Sequence, residues 1–124
     1  MRLPRLLEPR NVLLFSVVAE GATGALAVLA PGLVAQLLFG AQVSGAGVAY
    51  GRLLGMTLIA LAIACWPGAA LPLRPAVRAM LTYNTLAALY LAYLAILQPA
   101  GILIWPAAAE HALVTLLLIS AREV

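Results

Sequence analysis

Charged residues are scarce in this chain. Of its 124 residues only 9% are charged, 65% are hydrophobic, and the mean hydropathy is +1.10. A water-soluble domain typically has about 25% charged residues, so this composition excludes that class and indicates an integral membrane protein. About 20 apolar residues cross a membrane as one helix, so four such helices would leave only short connections and no separate soluble domain.

Cysteine and histidine each occur once, as Cys65 and His111. A single cysteine excludes an intramolecular disulfide and a multi-cysteine metal centre. The HExxH, Walker, GxGxxG and GxSxG motifs are also missing from the sequence. We therefore expect no cofactor and no metal site. Glu110 and His111 are adjacent, about 100° apart on a helix, so an ion there would need ligands from other helices, such as Glu20.

The positive net charge of +3 comes mostly from arginines that lie outside the apolar runs. Arg2, Arg5 and Arg10 precede the first run. Arg74 and Arg78 lie between the second and third runs, and Arg122 follows the fourth. The other two loops contain no lysine or arginine. The positive-inside rule then predicts that both termini are cytoplasmic and that the arginines contact lipid headgroups. Nucleic acid is not an expected partner.

Proline and glycine divide the apolar sequence into four predicted spans, near residues 11–30, 47–66, 76–98 and 102–120. Residues 33–40 are apolar but too short to cross, which predicts a short interfacial helix after the first span. The predicted fold class is therefore all-α. It is an integral membrane four-helix bundle in a single transmembrane domain, residues 1–124, with both termini on the cytoplasmic side.

Small residues predict where the helices touch. Gly47, Gly51 and Gly55 form a GxxxGxxxG series on one face of the second span, which lets another backbone approach closely. The series serves packing within the bundle or an interface with a second copy or a larger membrane partner, and the sequence leaves both open. One side of the first span, also predicted to face protein, carries Ser16, Glu20, Thr23 and Ala27.

Strongly polar residues interrupt each span at a similar depth. At about 1.5 Å per residue, four of them fall near the midplane: Glu20, Asn84, Glu110 and His111. Arg52 lies about a turn away. A charge at this depth costs about 2.5–3.5 kcal/mol on insertion scales, so we expect Arg52 to pair with Glu20 or Glu110. The other carboxyl group would be protonated or would pair with a protonated His111.

These groups have the chemistry of a binding or catalytic site. Glu20, Glu110 and His111 are candidate acid and base residues. The candidate ligand-binding residues are Arg52, Tyr83, Asn84 and Tyr90, of which Tyr83 and Tyr90 are seven residues apart and so share a helix face. The alternative is that the same groups only form hydrogen bonds between helices and fix their register.

Four stretches of the chain carry a family resemblance. They are GATGALAVLAPGLVAQLLFG near the end of span 1, Arg52-x-x-Gly55 in span 2, Tyr83-Asn84 in span 3, and LIWPAAAEHALVTLLL in span 4. In these stretches the chain resembles small bacterial four-helix membrane proteins, the DoxX-like and related families. The resemblance implies an inner-membrane bundle, with some relatives linked to quinone or thiol redox systems, and it supplies no catalytic residue.

Together these patterns favour a multi-pass protein of the bacterial inner membrane that binds a small lipophilic or amphipathic ligand, quinone-like or isoprenoid, at the midplane. Arg52 would bind the polar head of this ligand, while the other polar groups form hydrogen bonds with the ligand or exchange protons with it. One alternative is a non-catalytic accessory subunit of a larger membrane complex, docked through the glycine face. Another is a membrane isomerase or cyclase that acts by proton transfer. The ligand and the oligomeric state stay open.

Overall fold

The structure, a computed structural model, describes residues 4–122 except for the side chain of Arg122. A 3-10 helix, Arg5–Leu7, is followed by five α-helices: α1 Pro9–Leu29, α2 Pro31–Phe39, α3 Ala46–Ala64, α4 Leu73–Leu97 and α5 Ile104–Arg122. No strand occurs between residues 4 and 122, so the all-α prediction is confirmed there. Four of the helices, α1, α3, α4 and α5, are long and apolar enough to cross a membrane.

The predicted helix limits are close to those of the structure, and two of the differences lie at prolines. Helix α4 begins at Leu73 rather than at residue 76, and Pro75 lies in its first turn. Proline is tolerated there because the first N–H groups of a helix have no partner within it. Arg74, predicted in a loop, is therefore helical. Likewise α2 begins at Pro31, a favoured first position, rather than at residue 33.

The short helix α2 connects α1 to α3 and also holds the beginning of α5. It ends at Gly40, whose φ of 63° is a left-handed conformation that glycine adopts without a steric cost. Two of its last carbonyl groups accept hydrogen bonds from the chain before α5: Gly101 N–H donates to Leu38 (3.0 Å) and Leu103 N–H to Leu37 (2.9 Å). These bonds satisfy carbonyl groups that would otherwise be unpaired at the end of α2.

The four long helices form two antiparallel pairs, α1 with α3 and α4 with α5, and α1 also packs on α4 and α5. Helix α3 packs mainly on α1. Two apolar clusters of buried side chains follow each other along the molecule. The larger includes Val12, Leu13, Val17, Met80, Val114 and Leu118. The smaller is formed by Leu91, Ile104 and Ala108. Along α4 and α5, which contribute to both clusters, the order of these residues leaves a layer between the two clusters for buried polar groups.

Glycines set the distance between α1 and α3. A Cβ built on Gly55 would lie 2.5 Å from the carbonyl oxygen of Gly24, and a Cβ on Gly24 would lie 2.7 Å from that of Gly55. No larger residue fits at either position without moving a helix. A Cβ on Gly51 would meet Pro31 at 2.8 Å, while Gly47 meets only the loop before its own helix. The glycine series therefore packs within the chain at Gly51 and Gly55.

Candidate functional site

Buried polar side chains come together where α1, α4 and α5 meet. Among the described residues, four polar ones are buried: Ser16, Glu20, Asn84 and His111. Tyr83 and Glu110 adjoin them and are half-buried. We call these six residues the polar cluster. It lies near the middle of each of the three helices, between the two apolar clusters, so the predicted meeting of Glu20, Asn84, Glu110 and His111 is found in the structure.

Asn84 is the centre of the hydrogen-bond network. Its Nδ2 donates to Ser16 Oγ on α1 (3.1 Å) and to the carbonyl oxygen of Met80 in its own helix (2.8 Å). Its Oδ1 lies 2.7 Å from Nδ1 of His111 on α5. Because the Met80 carbonyl can only accept, the amide nitrogen must face it, and Oδ1 must face the imidazole. His111 Nδ1 therefore carries a hydrogen and donates it to Asn84.

The carboxylate of Glu20 accepts one hydrogen bond and has the imidazole of His111 nearby. Its Oε2 accepts a hydrogen bond from the hydroxyl group of Tyr83 (3.0 Å), and its Oε1 lies 3.5 Å from His111 Nδ1. The Glu20 side chain is only 4% exposed. The Tyr83 ring meets the imidazole of His111 edge-on, with centroids 5.6 Å apart and planes at 85°. Tyr83 thus contacts both Glu20 and His111, and its predicted role in ligand binding stays a prediction.

Glu110 lies at the exposed edge of the polar cluster. Its side chain is 30% exposed, and its Oε2 lies 3.5 Å from His111 Nδ1. Its Oε1 is buried and has no hydrogen-bond partner. Within residues 4–122, the cationic partner within 4.0 Å of either cluster carboxylate is His111 alone. The polar cluster is therefore rich in acceptor oxygens and poor in positive charge.

Arg52 does not join the polar cluster, and the predicted ion pair with Glu20 or Glu110 is not formed among the described residues. Its side chain is exposed on α3. Helix α3 packs mainly on α1, whereas the polar cluster lies where α1, α4 and α5 meet. Gly51 faces Pro31 and Gly55 faces Val28, so Arg52 lies beside the end of α1, about 12 Å or more along that helix from Glu20.

Tyr90 does not join the polar cluster either. It shares a helix face with Tyr83 but lies two turns further along α4, about 10.5 Å away. It is 61% exposed and stacks on Tyr93, with ring centroids 6.3 Å apart. Its predicted role in ligand binding would therefore need a site other than the polar cluster.

The sequence analysis placed Ser16 on the buried side of α1 but did not identify it as a partner of Asn84. The same side was assigned to Thr23, which is exposed, whereas Gly24 is buried. The signal was present in the spacing, because Ser16, Glu20 and Gly24 follow each other at intervals of four residues.

The surface of the molecule also has a cavity of about 1030 Å³, at the end of the helices where α1 and α4 begin. It is lined in part by Pro9, Arg74, Arg78 and Ala121, and by no residue of the polar cluster. Among the described residues that line it, the two guanidinium groups are the only charged groups, so the polar cluster is the stronger candidate site. Compared with protein-family models, with curated proteins and with solved structures, the chain gives no match in any of the three.

Proposed function

We propose that this chain is a multi-pass protein of the bacterial inner membrane that binds a small lipophilic or amphipathic ligand at the polar cluster. Its four long apolar helices support the membrane assignment. The arginines support cytoplasmic termini, because Arg5, Arg10, Arg74 and Arg78 all lie at the end where α1 and α4 begin. Two further arginines used for this orientation, Arg2 and the side chain of Arg122, lie outside the described residues.

The observation that carries the ligand proposal is the unpaired oxygen of Glu110. A buried carboxylate oxygen without a donor is costly, and part of the Glu110 side chain, which is 30% exposed, reaches the surface. A ligand that enters at this edge from the lipid can donate a hydrogen bond to Oε1 when the carboxylate group rotates toward it. Its apolar part can then stay in contact with the exposed apolar side chains of the helices.

The charges of the polar cluster narrow the ligand class. With Arg52 on another face, the cluster offers two carboxylates and one imidazole, which disfavours an anionic headgroup. It favours a ligand with a hydroxyl group as the donor. Among the quinone-like and isoprenoid molecules expected from the sequence, those with a hydroxyl group fit best: a quinol or an isoprenoid alcohol.

The accessory-subunit alternative relied on a free glycine face on α3. That face is occupied by α1 and α2 at Gly55 and Gly51. A larger partner would therefore have to dock elsewhere on α3, and no contact on the described surface identifies such a place.

The ligand proposal is tested by native mass spectrometry and lipid extraction of the gently solubilised protein. We expect a co-purifying hydroxyl-bearing lipophile in the wild type that is lost in Glu110→Gln and reduced in Tyr83→Phe. Two matched controls, Arg52→Ala and Tyr90→Phe, change exposed residues outside the cluster and should retain it. A wild type without any bound molecule, or a molecule retained in Glu110→Gln, would count against the proposal.

A further inference from the structure

Three side chains of the polar cluster have the arrangement of metal ligands. Glu20, Glu110 and His111 each place one ligand atom within 4.8 Å of the other two. His111 Nδ1 is 3.5 Å from Glu20 Oε1 and 3.5 Å from Glu110 Oε2. Neighbouring ligands of a tetrahedral ion, with bonds of about 2.1 Å, are about 3.4 Å apart. Two of the three separations therefore already match the edges of such a site.

The same atoms lack the donors that a stable hydrogen-bonded cluster would have. A separation of 3.5 Å is too long for a good hydrogen bond, and the Nδ1 hydrogen of His111 already points at Asn84. Glu20 Oε1 therefore has no close donor among the described residues. In Glu110 it is the second oxygen of the carboxylate, Oε1, that is buried and unpaired. Within the part of the chain that the structure describes, no Lys or Arg side chain lies within 4.0 Å of either carboxylate.

We propose that a divalent transition-metal ion of the manganese-to-zinc series binds between Glu20, Glu110 and His111. A mixed set of imidazole and carboxylate ligands suits these ions, whereas Mg²⁺ and Ca²⁺ prefer oxygen alone. The ion takes the place of the Nδ1 hydrogen, and His111 binds it in the tautomer that carries its hydrogen on Nε2. Asn84 Oδ1, which lies 2.7 Å from Nδ1, has to turn away when the ion binds, because an ion about 2.1 Å from Nδ1 would otherwise lie too close to it.

This site uses the polar cluster of the proposed function but does not depend on the lipophilic ligand. The sequence predicts no metal site, but an ion at Glu110 and His111 would need ligands from other helices, such as Glu20, and the packing of α1 on α5 brings Glu20 there. Tyr83 supports the site from outside, because its hydroxyl group orients the Glu20 carboxylate through Oε2 and leaves Oε1 for the ion.

The experiment is a titration of the purified full-length protein, without a polyhistidine tag, after treatment with a chelator and exchange into defined detergent. Co²⁺ is the probe, because its visible absorption reports coordination by protein ligands, and Zn²⁺ is then used to displace it. We expect one ion per chain. Glu20→Gln, Glu110→Gln and His111→Gln should each weaken binding at least tenfold, and Tyr83→Phe about tenfold.

The matched control is Glu8→Gln, the same change at an exposed carboxylate before α1, which should bind as the wild type does. A wild type that takes up no stoichiometric Co²⁺ or Zn²⁺ overturns the proposal, and this result needs no folded variant. Equal affinity in wild type and a folded Glu20→Gln variant overturns it as well. Because the titration uses protein freed of its native lipids, loss of the lipophilic ligand and loss of the ion are measured separately.

Discussion

Asn84 is the residue on which the buried network depends most. It donates to Ser16 on α1, accepts from His111 on α5, and is anchored to Met80 in α4. A single hydrogen bond between membrane helices averages only about 0.6 kcal/mol. Removing Asn84 has a larger effect, because Ser16 and His111 are both buried and would both lose their partner.

We expect Asn84→Leu, which keeps the number and branching of the side-chain heavy atoms, to lower the free energy of unfolding by about 1–3 kcal/mol. The measurement is equilibrium unfolding in mixed micelles, followed by circular dichroism. Thr82→Ala is the control, since its exposed hydroxyl group bonds only to Arg78 O within α4 and should change stability by less than about 0.5 kcal/mol. Equal stability of Asn84→Leu and Thr82→Ala would show that the network contributes little.

The residues of this layer show what sequence can and cannot predict. Depth along a helix follows from a fixed rise per residue, so counting placed Glu20, Asn84, Glu110 and His111 in one layer. The offset between helices matters equally, and it depends on which residues of two helices touch. Arg52 was counted about a turn from this layer, but α3 packs on α1 with Gly51 against Pro31 and Gly55 against Val28. The arginine therefore lies about 12 Å or more along α1 from Glu20.

At the scale of the helices, α1 is the element that holds the others together. It contacts α3 along its length and also packs on α4 and α5, so it contributes both the glycine contact and half of the polar cluster's carboxylates. The sequence predicted the five α-helices from their apolar lengths and breakers, but not the 3-10 helix Arg5–Leu7. It could not predict that α3 packs mainly on α1, because small residues mark a contact face without naming the partner.

Alanine substitutions at two glycines should therefore change stability in opposite directions. An alanine in a helix is more favourable than glycine by up to about 1 kcal/mol when its Cβ has space. At Gly32 in α2 a Cβ meets no atom within 4 Å, so Gly32→Ala should leave stability unchanged or raise it. At Gly55 the Cβ would lie against the backbone of α1, so Gly55→Ala should destabilise by about 1–3 kcal/mol.

The pair is compared by thermal unfolding in the same detergent, with the change in Tm as the measure. A Gly55→Ala variant that is as stable as Gly32→Ala would show that α1 and α3 do not approach each other as closely as the structure indicates.

For the whole molecule, the distribution of arginine predicts which way the chain crosses the membrane. The loop near residue 42 lies at one end, and the loop near residue 70 lies at the other, next to the arginines at the beginning of α4. Arg74 and Arg78 also line the cavity of about 1030 Å³ at that end. Because cytoplasmic loops carry the excess of arginine, we place residue 70 inside and residue 42 outside.

Cysteine labelling tests this orientation, and the chain is suited to it because its single cysteine, Cys65, is buried. In a Cys65→Ala background, Gln42→Cys and Ala70→Cys each introduce one thiol at an exposed loop position. A membrane-impermeant maleimide should label Gln42→Cys in intact spheroplasts and Ala70→Cys only after permeabilisation. The reverse pattern would place both termini outside, and labelling of both in intact spheroplasts would contradict the four-span topology. The wild type, with Cys65 alone, should stay unlabelled in either condition and so gives the background.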